Sequence, residues 1–482
     1  MKKLMTKLTA GLAVICSSAI AAPTFNKDIA PILYQNCSTC HRPGEVAPFA
    51  LLSYQDAAKR AGLIASVTKS RFMPPWKPEQ GYGKFAHERR LTDEQIALLQ
   101  EWASAGAPEG NPAEKPAPPV FPTGWQAGQP DQELKMSAPF DVKADGPDQF
   151  RCFVMPMNLD KEAYVSGAEF RPGNPRVVHH AIVFLDSSGT ARRLAAASGG
   201  SGYPCFGGPG FGGAVLVVGW APGATPLASQ PALSQPVRPG TDVVVQVHYH
   251  PSGKPEQDQS RLGLTFSGPP TKGRALLLVF NRNIDIPAGE SHYVLKGSVT
   301  MPQDGELWGI TPHAHYLAKE MKITARMPDG SVTPLIYIKD WDFNWQGQYL
   351  YEHPFKLPKG TKVELEFTYD NSRDNPHNPS NPPVRVKFGE QTKDEMGLAF
   401  LGIVLPSPAD VQPFQRAVVV QYVEDFLRTT ERLDDLPEEI PPALAQRLSL
   451  ALRVFDRDGD GKLNAEERGA ALLMVRADSL ID

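Results

Sequence analysis

Four short runs of this 482-residue chain bring histidine together with cysteine or with another histidine. "NCSTCH" sets Cys37 and Cys40 three apart, with His41 beside the second thiol. Two thiols so spaced add to the two vinyl groups of a haem while the histidine binds iron, so the run predicts a covalent c-type haem. A redox-active cysteine pair followed by an unrelated histidine is the alternative. "RVVHHAIVF" holds His179 and His180, "TDVVVQVHYH" holds His248 and His250, and "LWGITPHAHYL" holds His313 and His315. Imidazoles at i and i+2 of a strand share a face and lie close enough to chelate one metal ion. Three histidines alone suit zinc with an open position. In "TKDEMGLAFLGIV", Met396, Leu398 and Phe400 share a strand face. Met396 can then complete a site of two imidazoles and one thioether, a soft ligand that favours copper(I) over zinc. Read alone, Met396 is a core side chain.

Near the C-terminus, "DRDGDGKLNAEE" follows an EF-hand loop position by position. Asp456, Asp458 and Asp460 supply side-chain oxygens, Gly461 permits the sharp turn and Lys462 offers its carbonyl. Asn464 acts through water and Glu467 is the bidentate ligand, so one Ca2+ is expected. A merely acidic turn is the alternative. EF-hands work in pairs and only one loop is visible, which favours a structural calcium.

The elements that must position these groups change character along the chain. Phe25 to Tyr34 reads as a helix, and "LTDEQIALLQEWASAG" as another, with Thr92 and Gln95 in capping-box register and Gly106 near its stop. Between them, Met73 in "RFMPPW" sits on a proline-stiffened loop and is the expected sixth iron ligand; His87 is the alternative. Residues 23–110 resemble a small class I cytochrome c domain. Residues 111–130, including "NPAEKPAPPVFPTG", form a proline-rich, semi-rigid linker. Short strands between Gly/Pro turns follow, and from 409 the pattern turns helical.

Length implies roughly three domains. With 49 basic against 53 acidic residues and a net charge of −4, there is no electrostatic case for a nucleic-acid partner. Lys2, Lys3 and Lys7 precede an apolar stretch from Leu8 to Ile20, and Ala19-Ile20-Ala21 supplies a cleavage context. Residues 1–21 therefore read as a secretory signal peptide, and the mature protein as periplasmic or secreted without a membrane span. Cys16 leaves with that peptide. Cys152 and Cys205 remain, most simply a disulfide in an oxidising compartment, with two buried thiols as the alternative.

The ordered set "RCFV", "VVHHAIVF", "YPCFGGPG", "QVHYHP", "PHAHYL" and "DEMGLAF" resembles the copper type II, ascorbate-dependent monooxygenases, the group of dopamine β-monooxygenase and peptidylglycine α-hydroxylating monooxygenase. The likeness covers roughly residues 131–408. It implies two antiparallel, jelly-roll-like β-sandwiches, at 131–268 and 269–408, each carrying one copper, ahead of a helical EF-hand-like tail at 409–482. By resemblance, His179, His180 and His248 bind the electron-transfer copper, and His313, His315 and Met396 bind the copper where oxygen is activated. Cys152 and Cys205 match cysteines that pair in that family. His179 and His180 would then reach one ion, which a regular strand does not allow. A local bulge is expected there, with a different ring nitrogen used by each. His250 has the same spacing claim as His248 but falls outside the family pattern.

Where the peptide-amidating branch carries arginine, asparagine and tyrosine for its substrate's carboxylate, this chain has Thr311, Leu398 and Phe400. A peptidylglycine substrate is not expected, because nothing clamps a carboxylate; the pocket reads as more apolar. With the signal peptide, the resemblance implies an exported enzyme that hydroxylates a C–H bond of a small molecule with O2. Its cofactors would be two copper ions, one haem c and one Ca2+, with the haem, or a periplasmic donor, as the electron source. The competing readings are a non-enzymatic haem/copper electron-transfer or copper-binding protein, and a zinc hydrolase built on the three-histidine site.

Overall fold

The computed structural model describes residues 22–122, 124–200, 202–205, 207–224, 226–389, 391–429, 449 and 452–476. The expected signal peptide, with Cys16, lies outside the described residues, as does most of "PPALAQRLSLALRVF" in the tail. The chain divides into two compact units, Met1–Pro74 with Arg90–Pro119, and Pro75–Arg89 with Val120–Asp482.

The described part of the first unit contains helices and no strand. A π-helical turn at Phe25–Ile29 runs into α1 (Ala30–Asn36), followed by α2 (Tyr54–Ala58), α3 (Ala61–Lys69) and α4 (Asp93–Ser104). The capping box is present as the spacing predicts. The Thr92 hydroxyl accepts the Gln95 N–H, and the Gln95 side chain accepts the Thr92 N–H. Gly106, at φ +82°, follows the helix end in the left-handed region. Phe25, Leu33, Leu99 and Trp102 form the buried centre.

The second unit is mostly β. In its first half the strands are β1 (Gln132–Lys135), β2 (Phe140–Val142), β3 (Gln149–Pro156) and β4 (Ala163–Arg171). Next come β5 (Val178–Asp186), β6 (Tyr203–Pro204), β7 (Val215–Trp220) and β8 (Gln235–Val237). β9 (Asp242–Tyr249), β10 (Glu256–Asp258) and β11 (Arg261–Ser267) complete it. A five-stranded sheet in the order β6-β3-β9-β5-β7 shares one core with a four-stranded sheet in the order β1-β11-β4-β8. Val243, Val245 and Val247 of β9 enter that core, as their alternation predicts. The opposite face of β9 is covered as well. Val244 packs with α5 (Thr190–Ala197) and with the Cys152–Cys205 disulfide, which ties β3 to the residue just after β6. Gln246 and His248 are therefore buried polar groups that need partners.

In the second half the strands are β12 (Gly273–Phe280), β13 (Asp285–Ile286), β14 (Tyr293–Thr300) and β15 (Gly305–His313). They continue as β16 (Ala318–Arg326), β17 (Val332–Ile338) and β18 (Tyr349–Leu357). β19 (Lys362–Tyr369), β20 (Val386–Lys387) and β21 (Leu398–Leu405) close the set. Two four-stranded antiparallel sheets, β12-β21-β15-β18 and β14-β19-β16-β17, again share a core, centred on Leu277, Ile323, Phe367 and Leu401. Helix α6 (Val411–Thr429) adds Phe414 and Val418 to it.

The Pro75–Arg89 segment, inside the stretch expected to fold as one domain with the haem motif, groups with this second unit instead. Phe85 pairs singly with Tyr351 and Pro78 with Ile338, and Phe85 is buried in the same core. Among the described residues no helix is long and apolar enough to cross a membrane.

Candidate metal sites

The neighbouring histidines on β5 are arranged by a register shift. Val178 pairs with Tyr249 and His180 with His248, so His179 is an extra residue in the ladder. That is the expected bulge, and it turns both rings the same way. The expectation of different ring nitrogens is wrong: His179 and His180 both point Nδ1 inward, 3.2 Å apart. His248 Nδ1 lies 3.3 Å from His180 Nδ1. Nitrogens about 2.0–2.1 Å from a tetrahedral ion sit about 3.3 Å from one another; two of the three pairs have that spacing, and ligand atoms of all three residues lie within 4.8 Å of one another.

Burial pushes the His179 ring down to about 4 and the His180 ring well below its ordinary value, with His248 nearby adding to both effects. Both are neutral at pH 7, as metal ligands must be. His248 Nε2 hydrogen-bonds the Asp148 carboxylate at 2.6 Å, which leaves Nδ1 with the lone pair. The other Asp148 oxygen takes His250 Nδ1 at 2.8 Å. His250 is exposed and stands outside the three-nitrogen cluster. On the other side, the Phe150 ring stacks on His248 at 4.2 Å.

His313 ends β15, and His315 follows in the loop, their ring centroids 5.3 Å apart. Each Nδ1 is engaged by an oxygen: His313 on Gln346 Oε1 at 2.6 Å and His315 on the Asp394 carbonyl at 3.1 Å. Both Nε2 atoms therefore keep their lone pairs, the tautomer a metal requires. Burial lowers both rings, His315 to about 3. Across the ladder His313 pairs with Leu398, and Met396 lies two residues before Leu398, half-buried and just outside β21.

Phe343, on a short 3-10 turn, joins the two clusters. Its ring stacks on His179 and stands edge-on to His315, each with centroids 5.7 Å away. The two imidazole centroids are thus no further apart than twice that distance. Trp341, on the same segment, donates its indole N–H to the His315 carbonyl at 3.1 Å. Phe343→Ala would open a cavity between the clusters, at an expected cost of about 3–5 kcal/mol. Phe343→Leu should cost clearly less, as read by urea unfolding of the metal-free protein.

A cavity of about 480 Å³ is lined by Asp148, Phe150, Pro204, Gln391 and Thr392 among others, and by none of the six candidate ligands. Thr311, Leu398 and Phe400, expected to shape an apolar pocket, do not line it.

In the first unit, Cys37 and Cys40 stand as thiols, with burial and the neighbouring Cys40 pushing Cys37 up to about 12. His41 Nδ1 donates to the Phe49 carbonyl at 3.1 Å, which again leaves Nε2 available. Met73 lies half-buried beyond α3 with its N–H on the Val67 carbonyl. His87 is exposed on a turn that belongs to the second unit. In the acidic loop, carboxylate oxygens of Asp456, Asp458 and Asp460 come within 4.8 Å of one another. Gly459 and Gly461 take positive φ there. Glu467 is buried, and its oxygens accept the N–H groups of Arg457 and Asn464.

No protein-family model and no curated protein sequence matches the chain. Solved structures that match include that of PNGF-II in the C2 space group, at 11% identity and TM-score 0.24, over 55% of this chain and 61% of that one. Another is PNGF-II in the P21 space group, at 10% identity and TM-score 0.20, over 58% of this chain and 62% of that one. The chain thus spans less than two thirds of either structure, and likeness at these scores carries no argument about fold or function.

Proposed function

We propose that this protein is an exported copper-dependent monooxygenase that hydroxylates a C–H bond of a small molecule with O2. The observation that carries the reading is His180 Nδ1 lying 3.2 Å from His179 Nδ1 and 3.3 Å from His248 Nδ1, with a second histidine pair whose Nδ1 atoms are both engaged. His179, His180 and His248 would hold one copper, and His313, His315 and Met396 the other. When bound, the two copper ions would supply the one-electron redox steps and the activation of oxygen that hydroxylation needs.

The chain's own groups prepare the sites. Asp148 fixes the His248 tautomer, Gln346 and the Asp394 carbonyl fix those of His313 and His315, and the Phe343 ring packs against both His179 and His315. Cys37, Cys40 and His41, with Met73, would hold a haem as the built-in electron source. The Asp456–Glu467 loop would hold a structural Ca2+.

Metal analysis with oxygen-uptake screening tests this. About two coppers and one haem iron per chain are expected, with hydroxylated product matching the oxygen consumed. Zinc in the histidine sites would support a hydrolase instead. Full, reducible copper sites with no coupled product from any substrate would support the electron-transfer reading.

A further inference from the structure

Glu395 is fully buried, yet it is neither a candidate metal ligand nor paired with a lysine or arginine among the described residues. Its carboxylate is used entirely on backbone. Oε1 accepts the N–H of His315 and, at 2.8 Å, the N–H of Met396. Oε2 accepts the N–H of Leu317 at 2.9 Å. Its own N–H donates to the Lys387 carbonyl on β20 at 3.1 Å. One oxygen therefore bridges the main chains of two candidate ligands that lie about eighty residues apart in sequence.

The far side of Met396 is held as well. Its carbonyl accepts the Tyr369 hydroxyl at 2.7 Å. A Cβ on the next residue, Gly397, would sit 2.5 Å from that hydroxyl, so only glycine allows the approach. Backbone loops that carry ligands lose affinity when their separation fluctuates, because ordering them on binding consumes interaction energy. A carboxylate arm that ties both loops before any ion arrives removes that cost.

We propose that Glu395 is the positioning residue of the His313/His315/Met396 site, setting the separation of His315 from Met396 so that imidazole and thioether reach one ion. This rests on the copper reading above. The role belongs to reach and acceptor geometry, not to charge, and two variants separate these. Glu395→Gln loses the charge but keeps an oxygen at the Oε1 position. Glu395→Asp keeps the charge but shortens the arm by one methylene, so it cannot bridge His315 and Met396.

The experiment loads full-length wild type and both variants with copper and reduces them anaerobically. It then records copper–sulfur scattering by X-ray absorption and copper(I) affinity by chelator competition. Copper(II) resonance of the three-histidine site and thermal unfolding of the metal-free chain serve as controls for the fold. Wild type should show copper–sulfur scattering; its absence would overturn the Met396 assignment and this inference with it. Given that signal, Glu395→Asp should lose it, with affinity at that site weaker by roughly 10–100-fold, while the three-histidine resonance is unchanged. Glu395→Gln should retain it. Loss in Gln too, with the three-histidine resonance intact, would overturn the claim that reach and not charge sets the role. Retention in Asp overturns the inference, whatever Gln does. So does loss of both sites together, which would make Glu395 a residue of the general fold.

Discussion

His180→Ala should remove one metal ion per chain and leave the second histidine site loaded. The His180 nitrogen is the central one of its cluster, 3.2 Å from His179 and 3.3 Å from His248. Without it, two nitrogens from opposite ends of the group remain, and neither has another soft or imidazole ligand to replace the lost one. His250→Ala is the matched control. Although His250 shares a strand spacing with His248, its ring is bonded to Asp148 on the side away from the cluster, so the metal content should not change. Asp148→Asn should fall between the two. The carboxylate that orients His248 is lost, which typically weakens binding by roughly 10–100-fold without abolishing it. Metal content after gel filtration, with chelator competition for affinity, reads all three. If His180→Ala keeps its full complement, or His250→Ala loses an ion, the ligand set is wrong.

These comparisons also show what a linear sequence can and cannot disclose about such a site. The strand residues were legible, because period-two alternation in "TDVVVQVHYH" marks Val243, Val245 and Val247 as core before any fold is known. The bulge at His179 could be anticipated, because two adjacent side chains of a regular strand cannot face one ion. Which nitrogen each ring presents could not. That depends on χ angles set by neighbours such as Phe343, which comes from the other sandwich.

Asp148, Gln346 and Asp394 were missed for the same reason. Each acts across a large sequence separation through one oxygen, on a loop whose path is set by tertiary packing and not by any local period. Glu395 lay inside a quoted motif, next to Met396, but its role is expressed in hydrogen bonds to backbone. Such bonds leave no trace in residue type. The Pro75–Arg89 segment escaped because proline and aromatic residues in a loop do not say which core will take them.

Met396→Ala should abolish hydroxylation while leaving copper at the three-histidine site and the haem spectrum as they were. The fold gives reason to expect a clean separation. Met396 lies outside β21, so the ladder of Leu398–Leu405 with β12 and β15 does not depend on its side chain. It is half-buried, and the ties to its N–H and carbonyl come from Glu395 and Tyr369, which truncation leaves in place. What is removed is the thioether alone, the soft donor that favours copper(I) at the His313/His315 pair. His179, His180 and His248 keep Asp148 and Phe150 beside them, so their ion should give an unchanged copper(II) resonance. The reduced variant should also lose copper–sulfur scattering, which ties the lost activity to the lost ligand and not to a misplaced substrate. Retained hydroxylation would remove Met396 from the chemistry. Retained sulfur scattering without activity would move the sulfur ligand elsewhere and reopen the assignment of the second site.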